Sequence, residues 1–131
     1  MKQHNENATQ IANFLNSHSK ILKIHYPGID SKYKDIASKQ MDGFGGMMSI
    51  VIDTDLNGIN KFLKNLNLFT LAESLGGVES LIEHPAIMTH ASIDKEVRES
   101  LGITDNLLRL SIGIEDVGDL IADLEQALQQ I

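Results

Sequence analysis

A chain of 131 residues, 42% apolar and 22% charged, is sized for one compact domain that buries its own core. It has no cysteine, which excludes disulfides and thiolate metal sites and fits a reducing cytoplasm. A formal net charge of −7 without a basic run argues against nucleic acid or an anionic membrane as partner, and no apolar run approaches the roughly 20 residues that span a bilayer.

The opening MKQHNENATQIANFL lacks the continuous apolar core and small-residue cleavage site of a secretory signal. Ala8, Ile11 and Leu15 recur on one helical face instead, and the spacing predicts a helix over 3–17. In ILKIHYPG, Leu22, Ile24 and Tyr26 alternate with Lys23 and His25, a strand pattern closed by Pro27-Gly28. SKYKDIASKQM sets Tyr33, Ile36, Ala37 and Met41 on one face of a short helix, and GFGG (43–46) breaks the chain. MMSIVID is a strand whose near-continuous apolar character predicts a central position. DTDLNGINKFLKNL opens on capping acids and repeats Ile59, Phe62, Leu63 and Leu66 at helical spacing.

NLFTLAE reads as a short strand leading into ESLGGVES (73–80), and VESLIEHP as extended chain ending at Pro85. Ser92 is placed to cap a short helix, DKEVRESLG, that Gly102 stops. NLLRLSIG is the clearest strand: Leu108, Leu110 and Ile112 face one way, Leu107, Arg109 and Ser111 the other. Val117, Leu120, Ile121, Leu124 and Leu128 form the apolar stripe of a last helix, with Glu115 and Asp116 at its start, where the helix dipole favours acids. This order predicts an α+β domain: a small, mostly antiparallel sheet of about four strands, with helices packed on one face.

Arg109 is the most suggestive side chain. A guanidinium in mid-strand between apolar residues is either a surface arginine paired with a neighbouring acid or a planar clamp for a carboxylate. Ser74, Gly76 and Gly77 form either an ordinary tight turn or a place where bare backbone approaches an anion. GFGG precedes a strand and lacks a third glycine, so it is strand-start geometry and not a dinucleotide fingerprint. The five histidines follow no metal-ligand spacing and no serine sits in a G-x-S-x-G elbow, so no metal site and no hydrolase triad is expected. The residues themselves lead to an α+β domain with a possible carboxylate site.

YPG, QMDGFGGMMS, FTLAESLGGVESLIEHPAIMTHASI and LLRLSIGIEDVGDLIADLEQAL follow one another in that order over nearly the whole chain. This series resembles the C-terminal domain of the transsulfuration enzymes of cysteine and methionine metabolism, which depend on pyridoxal 5′-phosphate (PLP); the nearest likeness is to cystathionine γ-lyase and cystathionine γ-synthase. The resemblance implies the small lobe of a fold-type I PLP enzyme, homotetrameric, whose reaction is elimination or replacement at the γ-carbon of a homoserine-derived amino acid. It implies that Arg109 grips the substrate α-carboxylate. Ser74 and the Leu75 backbone orient substrate and the reactive lysine, Thr89 lies beside them, and Glu73 lies near the distal end of the substrate.

The family's large domain, with its Schiff-base lysine, ring-stacking aromatic and phosphate loop, has no counterpart in residues 1–131, and Lys34, Lys61 and Lys64 fall on predicted polar helix faces. The expectation is therefore a small domain that holds no catalytic residue and no PLP by itself and is inactive alone, in the manner of a truncated product or an excised domain. Two alternatives stand beside it: an oligomerisation module or half of a split enzyme that meets a separate large domain, and a free carboxylate sensor built on Arg109.

Overall fold

The computed structural model describes residues 1–29 and 32–131. Its elements follow the predicted order: α1 (Lys2–Asn16), β1 (Ile21–His25), α2 (Lys34–Gln40), β2 (Met47–Ile52), α3 (Leu56–Asn65), β3 (Thr70–Leu71), β4 (Leu81–Glu83), α4 (Lys95–Ser100), β5 (Leu107–Ser111) and α5 (Val117–Leu128). The strands make one sheet in the order β1-β2-β5-β4-β3. β1–β2, β2–β5 and β4–β5 pair antiparallel, and β3–β4 pair parallel. The sheet is mostly antiparallel, as expected, but has five strands. The expected count is about four; NLFTLAE, read as a short strand, contributes the two-residue β3, where Thr70 N–H donates to Ser80 O at 3.1 Å and Ala72 N–H to Ile82 O at 2.9 Å.

One face of the sheet carries the core. Ile24, Met48, Ile50, Ile52, Ile82, Leu108 and Leu110 point into a single cluster with Ala8, Ile11 and Leu15 of α1, Ile59 and Phe62 of α3, and Leu120, Leu124 and Leu128 of α5. The helices have stripes at the 3–4 spacing and the strands alternate, so each element has one face to bury and the faces meet. Each large side chain in the cluster contributes about 1.5–3 kcal/mol by leaving water. Capping fixes the helix starts: Asp55 accepts the Gly58 N–H at 2.9 Å on α3, and Asp116 accepts the N–H groups of Gly118 and Asp119 at 2.8 and 3.2 Å on α5.

Three local expectations differ from the structure. Leu22 does not share the buried face of Ile24 but is 59% exposed. Ile21 pairs with Ile52 and Lys23 with Val51, so Leu22 is the extra residue of a β-bulge, and Ile21 packs on the core instead. In α2 only Ala37 is buried, while Tyr33, Ile36 and Met41 are exposed. Ser92 is not the cap of α4. Asp94 stands there without a side-chain bond, and α4 is held by buried Arg98, which donates to Ile103 O at 2.7 Å and to Asp105 Oδ1 at 2.6 Å. Among the described residues no helix is long and apolar enough to cross a membrane.

Candidate functional site

The second face of the sheet carries the polar chemistry. Strand register sets Glu83 opposite Arg109, Arg109 opposite Ser49, and Ser49 opposite His25, so one row crosses β4, β5, β2 and β1. Alternation along β5 puts Leu108 and Leu110 in the core and leaves Arg109 on this face, as the sequence pattern requires. Arg109 Nη2 lies 2.7 Å from Glu83 Oε2 and donates to the Glu73 carbonyl oxygen at 3.2 Å. The Glu83 side chain is 1% exposed and that of Arg109 27%. The arginine is thus paired with an acid, but the acid is buried and not on the surface. Among the described residues both contacts fall on Nη2, and Nε and Nη1 have no protein hydrogen-bond acceptor. Guanidinium N–H groups left without an acceptor are donors for a carboxylate.

The 73–80 turn is built onto the same strand. Gly76 has φ +76°, in the left-handed region that glycine enters without penalty, and its N–H donates to Ser111 Oγ at 2.8 Å. Further on, Glu115 accepts Ser80 N–H at 2.6 Å and the Ser80 hydroxyl at 2.9 Å, while Ser80 Oγ accepts Gly113 N–H at 2.9 Å. Asn7 of α1 donates to the carbonyls of Gly113 and Glu115 at 3.1 and 2.8 Å. The double glycine therefore joins a turn pinned at both ends to β5 and the loop after it. A recess of about 90 Å³ lies between Leu75, Gly76, Ser111 and His4.

The predicted residues divide accordingly. Glu73 meets Arg109 through its carbonyl, while the residue as a whole is exposed, and Ser74 and Leu75 are exposed beside it. Thr89 lies in the turns after β4, exposed, with Oγ1 2.8 Å from His90 Nδ1, and makes no hydrogen bond with Arg109 or the turn. Glu83, Glu115 and His84 were not anticipated. An acid after two apolar residues reads only as the end of a strand, so nothing in SLIEHP announces that Glu83 is buried. His84 is fully buried, with Nε2 2.8 Å from Asp105 O and no partner for Nδ1. Burial holds its pKa below the ordinary histidine value; the hydrogen bond and charge of Asp105 oppose this, and the nearby Arg98 charge adds to it. Asp105 itself titrates low because Lys95 and Arg98 both donate to it at 2.6 Å.

A mostly antiparallel sheet with helices on one face, and on the other a buried acid paired with a half-buried arginine, makes a two-layer α+β lobe. The chain belongs to the Cys/Met metabolism PLP-dependent enzyme family, which matches residues 1–129. It is 57% identical over 129 residues to a cystathionine beta-lyase of Coxiella burnetii, covering 98% of this chain and 33% of that protein. The crystal structure of cystathionine gamma synthase from Xanthomonas oryzae pv. oryzae, in complex with aminoacrylate and cysteine, superposes with a TM-score of 0.93 at 46% identity over 99% of this chain and 34% of that one. Cystathionine gamma-lyase from Lactobacillus plantarum, complexed with L-serine, superposes with a TM-score of 0.91 at 45% identity over 100% and 34%. The chain thus spans about a third of the length of the relatives it matches, and they include both β- and γ-type enzymes.

The lysines of this chain are the groups that would have to meet PLP as a Schiff base. A Schiff base needs an uncommitted amine in a sheltered site. All lysines are exposed except Lys20, whose Nζ is committed to the carbonyls of Leu128 at 2.8 Å and Ile131 at 2.5 Å.

Proposed function

We propose that this chain is the substrate-recognising small domain of a PLP-dependent cystathionine lyase or synthase, and that Arg109 binds the substrate α-carboxylate. The carrying observation is Arg109 with Nε and Nη1 free of protein acceptors beside the Glu73 carbonyl, where the family turn and the arginine strand meet. Ser74 and the Leu75 backbone border the bound amino acid, Thr89 lies further along the same wall, and the Glu73 carboxylate faces the distal end of the substrate. The preferred chemistry is at the γ-carbon. PLP supplies the electron sink of such reactions, and the part of the enzyme outside this chain supplies its lysine and phosphate seat. The crystallised relatives hold aminoacrylate, cysteine and L-serine, which supports a small amino acid as ligand.

The test is Arg109→Ala in the enzyme that joins this chain to a PLP-binding domain. A KM for cystathionine raised roughly a hundredfold is expected, the loss of a charged bidentate contact; an unchanged KM removes the proposal. The isolated chain mixed with PLP is expected to give no internal-aldimine absorption band, and a stoichiometric band trapped by borohydride would defeat the claim that it needs its large domain.

A second reading, assembly with another chain, is favoured by Val78 and Ile114. They are 63% and 48% exposed and are joined by the Ile114 N–H to Val78 O bond at 2.9 Å, with Leu75 53% exposed in the same turn. Apolar groups gathered this way are covered in a complex. Light scattering of the chain decides it: a strict monomer at every concentration counts against self-assembly.

A further inference from the structure

We propose that Glu83 is a positioning residue that holds the Arg109 guanidinium in the orientation that receives a carboxylate. This rests on reading Arg109 as the carboxylate-binding group. Glu83 stands directly across the β4–β5 pair from Arg109, with its side chain 1% exposed. Neither of its oxygens has an aligned hydrogen bond, so the nearby guanidinium 2.7 Å away is the charge that compensates it. A buried carboxylate with a single compensating cation cannot let that cation swing away without being left unpaired in a medium that penalises charge heavily. Arg109, by contrast, is partly exposed and would sample many rotamers on its own.

The geometry also assigns which nitrogen is held. Glu83 Oε2 and the Glu73 carbonyl converge on the same nitrogen, Nη2, from the strand and from the turn. An ion-pair contact from the strand and a hydrogen bond to the turn, both on Nη2, restrict the guanidinium and leave Nε and Nη1 without a protein acceptor. The guanidinium is therefore held in place before ligand arrives, and the ordering cost of a long flexible side chain is not charged to binding. The pairing also lowers the net charge of the site, so a carboxylate is selected by matched geometry more than by long-range attraction.

The experiment uses Glu83→Met, which fills the buried volume without charge, and Glu83→Gln, which keeps an oxygen acceptor for Nη2. In this chain, the side-chain 15N–1H signals of Arg109 are expected to show slow rotation of the guanidinium in the native protein and in Glu83→Gln, and fast averaging in Glu83→Met. In the PLP-loaded enzyme carrying this chain, Glu83→Met is expected to raise the cystathionine KM roughly tenfold with kcat within about threefold, and to add nothing further in an Arg109→Ala background. Glu83→Gln is expected to restore most of the KM. Unchanged Arg109 signals in Glu83→Met overturn the proposal, as does a KM effect that persists undiminished without Arg109. If Arg109→Ala leaves KM unmoved, the clamp itself is refuted; if Arg109→Ala raises KM while Glu83→Met does not, only the role of Glu83 is.

Discussion

Gly76 donates its backbone N–H to the hydroxyl of Ser111 at 2.8 Å, and Ser111 lies two residues beyond Arg109 on the same face of β5. The turn that carries Glu73, Ser74 and Leu75 is thereby referenced to the strand that carries the arginine. Its position depends on one hydroxyl and on the conformational freedom of one glycine.

Ser111→Ala removes that acceptor. The expected loss is about 1 kcal/mol, typical of one hydrogen bond, with the change confined to the turn. Hydrogen exchange checks it: amides of 75–78 exchange faster, while those of α1 and α5 keep their protection. Uniform loss of protection would mean that the bond supports the whole fold and not the turn.

Gly113→Ala tests the opposite end of the same segment. A Cβ at Gly113 would overlap the Val78 carbonyl and approach the Glu79 carbonyl carbon to 2.6 Å, both backbone atoms that cannot rotate aside. The expected cost is about 1–3 kcal/mol, the range for overpacking, read as a lower midpoint in urea. Loss of the Ser80–Glu115 bonds should accompany it, since they span this contact. A midpoint equal to the native one would show that 78–80 gives way freely.

Asp123 on α5 gathers the N–H groups of Asn67, Leu68 and Phe69 at 2.8, 2.8 and 3.2 Å. Burial pushes its pKa up, but these donors outweigh burial and hold it below the ordinary value of 3.8. With the folded pKa depressed, the unfolded chain takes up the proton first as pH falls. The stabilisation is present in full above the ordinary value and is lost below it, toward the folded pKa. Asp123→Asn should cost about 1–3 kcal/mol at neutral pH, as for hydrogen bonds to a charged acceptor. Urea titrations at several pH values should show the gap between the two proteins closing only in the acid range. A constant gap would contradict the assignment.

His84 reports on the end of β4. Its folded pKa lies below the ordinary 6.5, chiefly because burial disfavours the imidazolium. The unfolded chain therefore binds the proton first, and stability contributed by neutral His84 falls as pH drops below 6.5. His84→Gln keeps an amide donor near the Nε2 position, facing Asp105 O. It should flatten the stability profile below pH 6.5 by up to about 1.4 kcal/mol per pH unit, the slope of one proton. An unaltered profile would place the sensitivity elsewhere.

Much of the architecture was legible in residue order. The period of α1, α3 and α5 and the alternation of Leu108, Arg109 and Leu110 follow from local geometry, because an apolar stripe has one way to be buried. The contact of Arg109 with the Glu73 carbonyl joins the turn to the arginine strand. Long-range pairing was not legible. That β4 lies between β3 and β5, that Leu22 is the extra residue of a bulge, and that α2 buries only Ala37 are results of register and coverage, which a strand does not carry in itself.

The sequence by itself determined which side chains could bear charge on the face opposite the core, and that Arg109 is among them. Only the tertiary structure decided that Glu83, twenty-six residues earlier, would be the buried charge facing it, and that the Glu73 carbonyl would meet the same nitrogen. The reason is physical: a carboxylate is buried or solvated according to what packs around it after the sheet has assembled, and no local pattern of residues encodes that surrounding.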